Sequence, residues 1–145
     1  MSSRRACLAG GLALLASVPC AGALDLYDEP RVIVETLLER YAGPTPPDLA
    51  KLPFVPRIHA AFARTDLAID PVINAGETRV SLIRVAPTRM VDDKRATVDA
   101  RFRNLDVEKG AVFEFDRTSG DWLITDVRHG NGVTLRTLMQ IPAPR

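Results

Sequence analysis

Apolar residues in the first half of the chain recur every three or four positions, which is the spacing of one face of an α-helix. A helix is predicted over residues 30–41. Its apolar stripe consists of Val34, Leu37, Leu38 and Tyr41. Asp28 or Glu29 places negative charge at the start of this helix, and Pro30 suits the first helical position. Gly43 favours its termination.

A second helix is predicted over residues 53–65. Its inner face consists of Phe54, Ile58, Ala61 and Phe62. Further along, Asp70 precedes Pro71 at the start of a short helical turn, where an aspartate N-cap contributes on the order of 1 kcal/mol. We therefore interpret Asp70 as a capping residue rather than as a ligand.

From Arg79 onward the period of the pattern changes to two, which predicts β-strands. Residues 80–91 form a long strand that is interrupted or bulged at Pro87, as suits an edge or a bend. Residues 95–103 alternate cleanly between two faces. One face of this second strand carries Ala96, Val98, Ala100 and Phe102. The other face carries Thr97, Asp99, Arg101 and Arg103.

Two further strands and a closing helix complete the predicted fold. Residues 104–110 form a turn, and the third strand that follows has an apolar face. This face consists of Ala111, Phe113 and Phe115. A hairpin at 118–121 leads into a fourth strand, 122–127, and a closing helical segment covers 133–140. The closing segment packs Leu135 and Leu138. Helices followed by strands indicate an α+β fold, with N-terminal helices packed on a curved four-stranded antiparallel sheet and a short C-terminal helix.

Residues 1–23 are typical of an export signal that is removed from the mature protein. The Arg4-Arg5 pair gives a positive start, residues 9–18 are apolar, and Ala23 ends the small-residue stretch at which a signal peptidase cuts. The apolar run is shorter than the roughly 20 residues that span a membrane. We therefore expect cleavage after Ala23, which leaves residues 24–145 as one domain that is periplasmic or secreted and has no membrane anchor.

Two export routes fit this leader. The stretch from Ser3 to Leu8 resembles the twin-arginine signal, although Cys7 stands where that signal usually has Phe, and the general secretory route is the alternative. Cys20 also suggests bacterial lipid attachment, but Pro19 beside the bond to be cut disfavours it. Both routes lead out of the cytoplasm.

Charge and cysteine content exclude several classes of protein. The chain has 19 Lys+Arg against 18 Asp+Glu, a net charge of +1, and therefore lacks the basic excess of a nucleic-acid-binding domain. Cys7 and Cys20 both lie in the leader. The predicted mature domain consequently has no disulfide, no thiol nucleophile and no cysteine-ligated metal.

Little of the remaining sequence matches a known catalytic pattern. His59 and His129 have no partners at metal-ligand spacing, and we expect neither a metal nor a cofactor. We interpret His59 as a residue at the border of the apolar stripe of the second helix rather than as a base, and His129 as a loop residue. The chain contains no Gly-x-Ser-x-Gly elbow and no glycine-rich phosphate-binding motif.

Several segments together resemble a bacterial envelope family catalogued as domain of unknown function 3828. They are Asp-Pro-Val-Ile-Asn-Ala at 70–75, the strand series, and Asp-Trp-Leu-Ile-Thr-Asp-Val at 121–127 followed by Leu135 to Leu138. The resemblance covers residues 32–138 and implies the cystatin-like fold of the nuclear transport factor 2 superfamily and an exported protein. At Gly76-Glu77 the chain departs from the Gln-Asp that the family tends to show. The family has no established catalytic residues to assign here.

The polar face of the predicted sheet carries one candidate site. Asp99, Arg101 and Arg103 point the same way on the second strand, and Asp126 lies on the fourth strand with Trp122. In the cone-shaped members of that superfamily such a face lines a pocket, so a buried Asp99 or Asp126 is a candidate acid or base and Arg101 a candidate anion clamp. Arg103 and Trp122 are further candidate ligand-binding residues. The alternative is a solvated face whose cross-strand ion pairs each contribute roughly 0–1 kcal/mol.

The leading functional hypothesis is a non-enzymatic exported module that binds an envelope protein or a small ligand through its sheet. The first alternative is a pocket enzyme of the isomerase or dehydratase type that uses Asp99 or Asp126. The second is an immunity or inhibitor protein. An open cavity in which the two aspartates converge favours the enzyme, whereas an interior filled by aromatic residues favours the binding module. Those aromatic residues are Phe102, Phe113, Phe115 and Trp122.

Overall fold

The computed structural model describes residues 29–118 and 120–142. Over these residues the chain has an α+β fold with three α-helices and one open five-stranded antiparallel sheet. The helices are α1 (Pro30–Tyr41), α2 (Pro56–Arg64) and α3 (Leu135–Leu138). The strands are β1 (Val80–Val85), β2 (Arg89–Met90), β3 (Arg95–Asn104), β4 (Val107–Thr118) and β5 (Asp121–His129). The predicted leader with its cleavage point after Ala23, and Ser119 of the predicted hairpin, lie outside the described residues.

The sheet has five strands rather than the four predicted, because the first predicted strand is split. The strand order is β1-β3-β4-β5, and β2 pairs with β3 beyond the end of β1. The segment between β1 and β2 contains Pro87, which has no backbone donor. The Thr88 hydroxyl accepts a hydrogen bond from the Arg31 N–H at 3.1 Å and donates one to the Glu29 carboxylate. The interruption expected at Pro87 is confirmed. Through Thr88, the segment between β1 and β2 is hydrogen-bonded to the start of α1.

The turn predicted over residues 104–110 is wrong, because the β3–β4 ladder runs on to Asn104 opposite Val107. Only Leu105 and Asp106 lie outside the two strands, and Leu105 has φ +54°. The buried Asn104 side chain accepts from the Arg79 N–H at 2.7 Å and donates to the Glu77 carbonyl at 2.9 Å. These long-range partners allow a residue typical of turns to end a strand.

Two predicted helices are shorter in the structure. The second begins at Pro56 and not at residue 53, because residues before it run extended beside β5: the Ile124 N–H donates to the Pro53 carbonyl at 2.7 Å. The closing helix is confined to α3, and Met139 rather than Leu138 is buried in the core. Among the described helices, none combines the length and apolar character that crossing a bilayer requires.

The hydrophobic core lies on one face of the sheet. Alternate residues of β3 and β4 are buried there, and α1 packs against β1 and β3. The buried residues of α1 are Pro30, Ile33, Val34, Leu37, Leu38 and Tyr41. The aromatic side chains that fill the interior are Phe102, Phe113, Phe115 and Trp122, each at most 3% exposed.

The opposite side of the sheet, called the outer face below, carries the intervening residues, which are exposed or half-buried. Its β3 residues are Thr97, Asp99, Arg101 and Arg103. Its β4 residues are Glu108, Gly110, Val112, Glu114 and Asp116. Burial on one side only leaves the polar side of this sheet available for binding.

Candidate functional site

The outer face is rich in arginine where β1 meets β3. Arg84 lies directly opposite Arg101 in the antiparallel register, and the next outward-facing β3 residue, Arg103, lies opposite Ser81. Like charges on directly opposite residues destabilise a sheet. We call Arg84, Arg101 and Arg103 the arginine row.

Two carboxylates on the outer face approach arginines that do not belong to the arginine row. Arg89 approaches Asp99 to 3.8 Å, and Arg128 approaches Glu114 to 3.7 Å. Both separations exceed hydrogen-bond distance. Within residues 29–118 and 120–142, no member of the arginine row forms an ion pair. Glu108 lies opposite Arg103 in the register but forms no ion pair with it, so the row is a concentration of positive charge among the described residues.

A cavity of about 760 Å³ lies on the outer face. Its lining includes the side chains of Arg89, Asp99, Arg101, Val112 and Arg128, and the backbone at Gly110 and Gly130. Gly110 lies opposite Arg101 in the register, and the Gly130 N–H donates to the Gly110 carbonyl at 3.1 Å. Because Gly110 and Gly130 have no side chains, their backbone forms the floor of the cavity beside Arg101, and we call these two residues the glycine floor.

A second cavity, of about 30 Å³, lies between α1 and the segment before α2. Ile33, Leu37 and Leu52 contribute to its apolar lining. Its volume is sufficient for about one water molecule.

The two candidate acid or base residues lie in different surroundings. The Asp99 side chain is 50% exposed and lines the outer-face cavity. The Asp126 side chain is 4% exposed and is not among the residues that line this cavity. The convergence of Asp99 and Asp126 on one substrate, which the enzyme hypothesis requires, is not present.

Asp126 holds the C-terminal segment against the sheet. One carboxylate oxygen accepts from the backbone N–H groups of Val127 and Arg136 at 2.9 and 3.1 Å, and the other accepts from Arg136 Nε at 3.0 Å. The strand register shifts here, so that Thr125 has no partner in β4. This bulge interrupts the alternation of the strand, so that the neighbouring residues Asp126 and Val127 are both buried.

Trp122 and Arg103 differ as candidate ligand contacts. Trp122 is 3% exposed, and the Arg117 guanidinium lies 5.4 Å from the centre of its ring. A tryptophan buried this completely contributes to the core and offers no surface to a ligand on the outer face. Arg103, in contrast, is exposed within the arginine row.

A buried polar cluster lies where the loop after α2 meets the end of β5. The Tyr41 hydroxyl donates to one Asp70 oxygen at 2.8 Å, and the other oxygen accepts from the N–H groups of Val72 and Ile73. The predicted capping role of Asp70 is confirmed. The prediction that His129 is a loop residue is wrong: it ends β5, is 6% exposed, and its Nε2 lies 3.0 Å from the Pro71 carbonyl.

Burial shifts the protonation equilibria of this cluster. Desolvation raises the pKa of Asp70, and the hydrogen bonds from Tyr41 and the backbone oppose that rise. Desolvation also raises the pKa of Tyr41 and lowers the pKa of His129. Since a carbonyl oxygen only accepts, the Nε2 of His129 carries the hydrogen. The cluster is composed of satisfied groups that bind neighbouring segments to one another.

The sequence alone did not reveal the position of Arg84 or the glycine floor. Gly110 falls inside the segment interpreted as a turn, and only the strand register places it beside Arg101. Among residues 29–118 and 120–142, no group of three or more His, Cys, Asp or Glu side chains is placed to hold a metal ion. Comparison of the chain with protein-family profiles, curated proteins and solved structures found no match.

Exchanging Asp126 for asparagine tests its structural role. We expect Asp126→Asn to lower the free energy of unfolding by about 1–3 kcal/mol, because the half-buried Arg136 guanidinium loses its charged acceptor. The matched variant Asp99→Asn, on the outer face, should change it by less than about 0.5 kcal/mol. Urea unfolding of the two variants and the parent measures both values. Equal effects would show that Asp126 does not hold the C-terminal segment.

The lowered pKa of His129 predicts a pH dependence of stability. The unfolded chain takes up a proton at the ordinary histidine pKa of 6.5, whereas folded His129 resists it, so stability falls as pH decreases below that value. We expect the free energy of unfolding to drop less between pH 7 and pH 5 in His129→Gln than in the parent. Arg57→Gln, an exposed change on α2 that leaves both histidines in place, is the control and should keep the parent slope. A parent slope in His129→Gln would contradict the assignment.

Proposed function

We propose that the protein is a non-enzymatic binding module that holds an anionic partner on the outer face of its sheet. The partner is an envelope protein or a small ligand. The observation that carries the proposal is the arginine row, in which Arg84 and Arg101 face each other and neither forms an ion pair with a described residue. An anion bound there relieves the repulsion and gains charge-assisted hydrogen bonds.

The side-chain chemistry of the row supports an anionic partner. A guanidinium group presents planar paired donors that match carboxylate and phosphate oxygens. The arginine row sits beside a cavity whose lining has three arginines against one aspartate. Electrostatic complementarity of this kind favours encounter with a negatively charged ligand.

We also propose that the domain is exported and belongs to the family catalogued as domain of unknown function 3828, with a cystatin-like fold. The leader at 1–23 supports export. The order of two helices, an antiparallel sheet and a short closing helix, together with the capped turn at Asp70, supports the family assignment. In that fold the sheet curves around the helices, which leaves its other side for partners.

The alternative functions receive less support. An isomerase or dehydratase mechanism needs Asp99 or Asp126 in a closed pocket, yet Asp99 is half-exposed and Asp126 is bound to Arg136. The interior is filled by aromatic side chains rather than open to a substrate. No particular contact favours an immunity or inhibitor role.

Export is testable directly. When the full chain is produced in a Gram-negative host, we expect a periplasmic product that begins at Leu24, because Ala23 ends the stretch that a signal peptidase accepts. Intact mass spectrometry of the periplasmic and cytoplasmic fractions identifies the N-terminus. An uncut chain that remains in the cytoplasm would overturn the proposed location.

Binding of an anion to the arginine row is tested with Arg101→Gln. We expect the purified protein to bind tripolyphosphate saturably and Arg101→Gln to bind it about tenfold more weakly, since a charge-assisted hydrogen bond is lost. The variant should be slightly more stable than the parent without ligand, because the repulsion from Arg84 is relieved. Isothermal titration calorimetry and thermal unfolding measure these effects.

The control for this experiment is Arg57→Gln, which removes an exposed arginine from α2. It should bind tripolyphosphate as the parent does. Absence of saturable binding in the parent, or equal weakening in both variants, would contradict the proposed function.

A further inference from the structure

We infer that the ligand is a small organic acid, whose carboxylate lies over Gly110 and Gly130 beside Arg101 and whose carbon skeleton lies on Val112. The inference rests on the proposed function and names the class of ligand. It follows from three features of the outer-face cavity: a floor without side chains, an unpaired guanidinium group, and an adjoining aliphatic surface.

Neither glycine of the floor is required by the backbone. Neither has a positive φ, in contrast to Gly120 and Gly132. A Cβ added at Gly110 would meet its nearest atom, the Ala100 carbonyl oxygen, at 3.9 Å, and one added at Gly130 would meet the Gly110 oxygen at 3.7 Å. Both are ordinary contacts, so alanine would fit. Glycine within a strand costs stability and commonly marks a place where a ligand approaches the backbone closely.

The charges around the floor are suited to one anionic group. Arg101 has no ion-pair partner among the described residues, and Arg128 is held only loosely by Glu114 at 3.7 Å. A carboxylate between these two arginines can accept paired N–H donors from either guanidinium. The cavity therefore offers a monoanion two guanidinium groups whose N–H donors are not all used within the protein.

The same face disfavours an extended polyanion or a broadly acidic protein surface. Carboxylates alternate with arginines across it: Asp99 precedes Arg101 on β3, and β4 carries Glu108, Glu114 and Asp116. An extended ligand whose negative charges reach beyond the floor along β3 and β4 would meet these carboxylates and be repelled. A compact ligand with one carboxylate over the floor meets only Asp99 among the carboxylates that line the cavity.

The remaining lining favours an apolar body on that carboxylate. Val112 lies next to Gly110 on the outer face of β4, and Val91 lines the same cavity with its side chain more than half exposed. The volume of about 760 Å³ falls within the range of about 300–1,000 Å³ found for small-molecule sites and far exceeds the volume of one carboxylate. Hydrocarbon placed on the valines is removed from water, which strengthens binding.

Calorimetric titration with acetate, butyrate and hexanoate tests the inference, with hexanamide as the uncharged control. We expect affinity to rise roughly tenfold from acetate to hexanoate, since part of each added methylene is buried. The parent should bind hexanamide at least tenfold more weakly than it binds hexanoate. Arg101→Gln should likewise bind hexanoate at least tenfold more weakly than the parent does.

Two variants locate the ligand. Gly110→Ala should weaken the binding of hexanoate at least fivefold, because its methyl group fills the floor. Gly76→Ala is the control and should leave this binding unchanged. A Cβ at Gly76 would also meet its nearest atom at an ordinary 3.8 Å, but away from the sheet. Circular dichroism verifies the folding of each variant. Val112→Thr keeps the shape of the side chain and adds a hydroxyl, so it should reduce the rise in affinity from acetate to hexanoate. This measurement tests the site independently of the glycines.

The outcomes separate this inference from the proposed function. Two results would overturn the organic-acid site and leave the anion-binding function in place. One is carboxylate binding that Gly110→Ala and Val112→Thr leave unchanged. The other is binding of tripolyphosphate without binding of any carboxylate. Failure of the parent to bind any of these anions would overturn both.

Discussion

One-sided burial of the sheet is the constraint on which the rest of the structure depends. Side chains alternate along β3 and β4, so that Val98 and Phe113 are fully buried while Asp99 and Val112 beside them face outward. Helix α1 covers the buried side. The buried face stabilises such a sheet, so packing does not constrain the choice of residues on the other face. The unpaired arginine row is tolerated because the core on the opposite side compensates for its repulsion.

Buried polar contacts fix the segments that the core does not hold. Asp70 anchors the loop after α2 to Tyr41, His129 anchors the same loop to β5, and Asp126 anchors α3 through Arg136. Each buried group has its partner, and no buried side-chain donor or acceptor of the described residues is left unpaired. Because residues 29–118 and 120–142 contain no cysteine, these contacts hold the segments in place without a disulfide among the described residues. They also bring the end of β5, next to Gly130, to a fixed position.

The sequence predicted features that depend on local periodicity and did not predict those that depend on register. The bounds of α1, the alternation of β3, the break at Pro87 and the cap at Asp70 all follow from neighbouring residues. The β3–β4 turn, the start of α2 and the burial of His129 depend on partners distant in the chain. The candidate site divides in the same way. Arg101 was identified on its strand, but the contact of Asp126 with Arg136 and the pairing of Arg101 with Arg84 and Gly110 required the tertiary structure.

The most direct test of this account is the map of amide chemical-shift changes in the ¹⁵N-labelled protein during titration with hexanoate. If the outer face binds the ligand while the inner face holds the core, the largest changes should centre on the N–H groups of Gly110 and Gly130 and on neighbouring positions of β3 and β5. The amides of α1 should remain unchanged. Changes centred on Ile33, Leu37 and Leu52, around the small apolar cavity, would contradict the division of the sheet into a stabilising and a binding face.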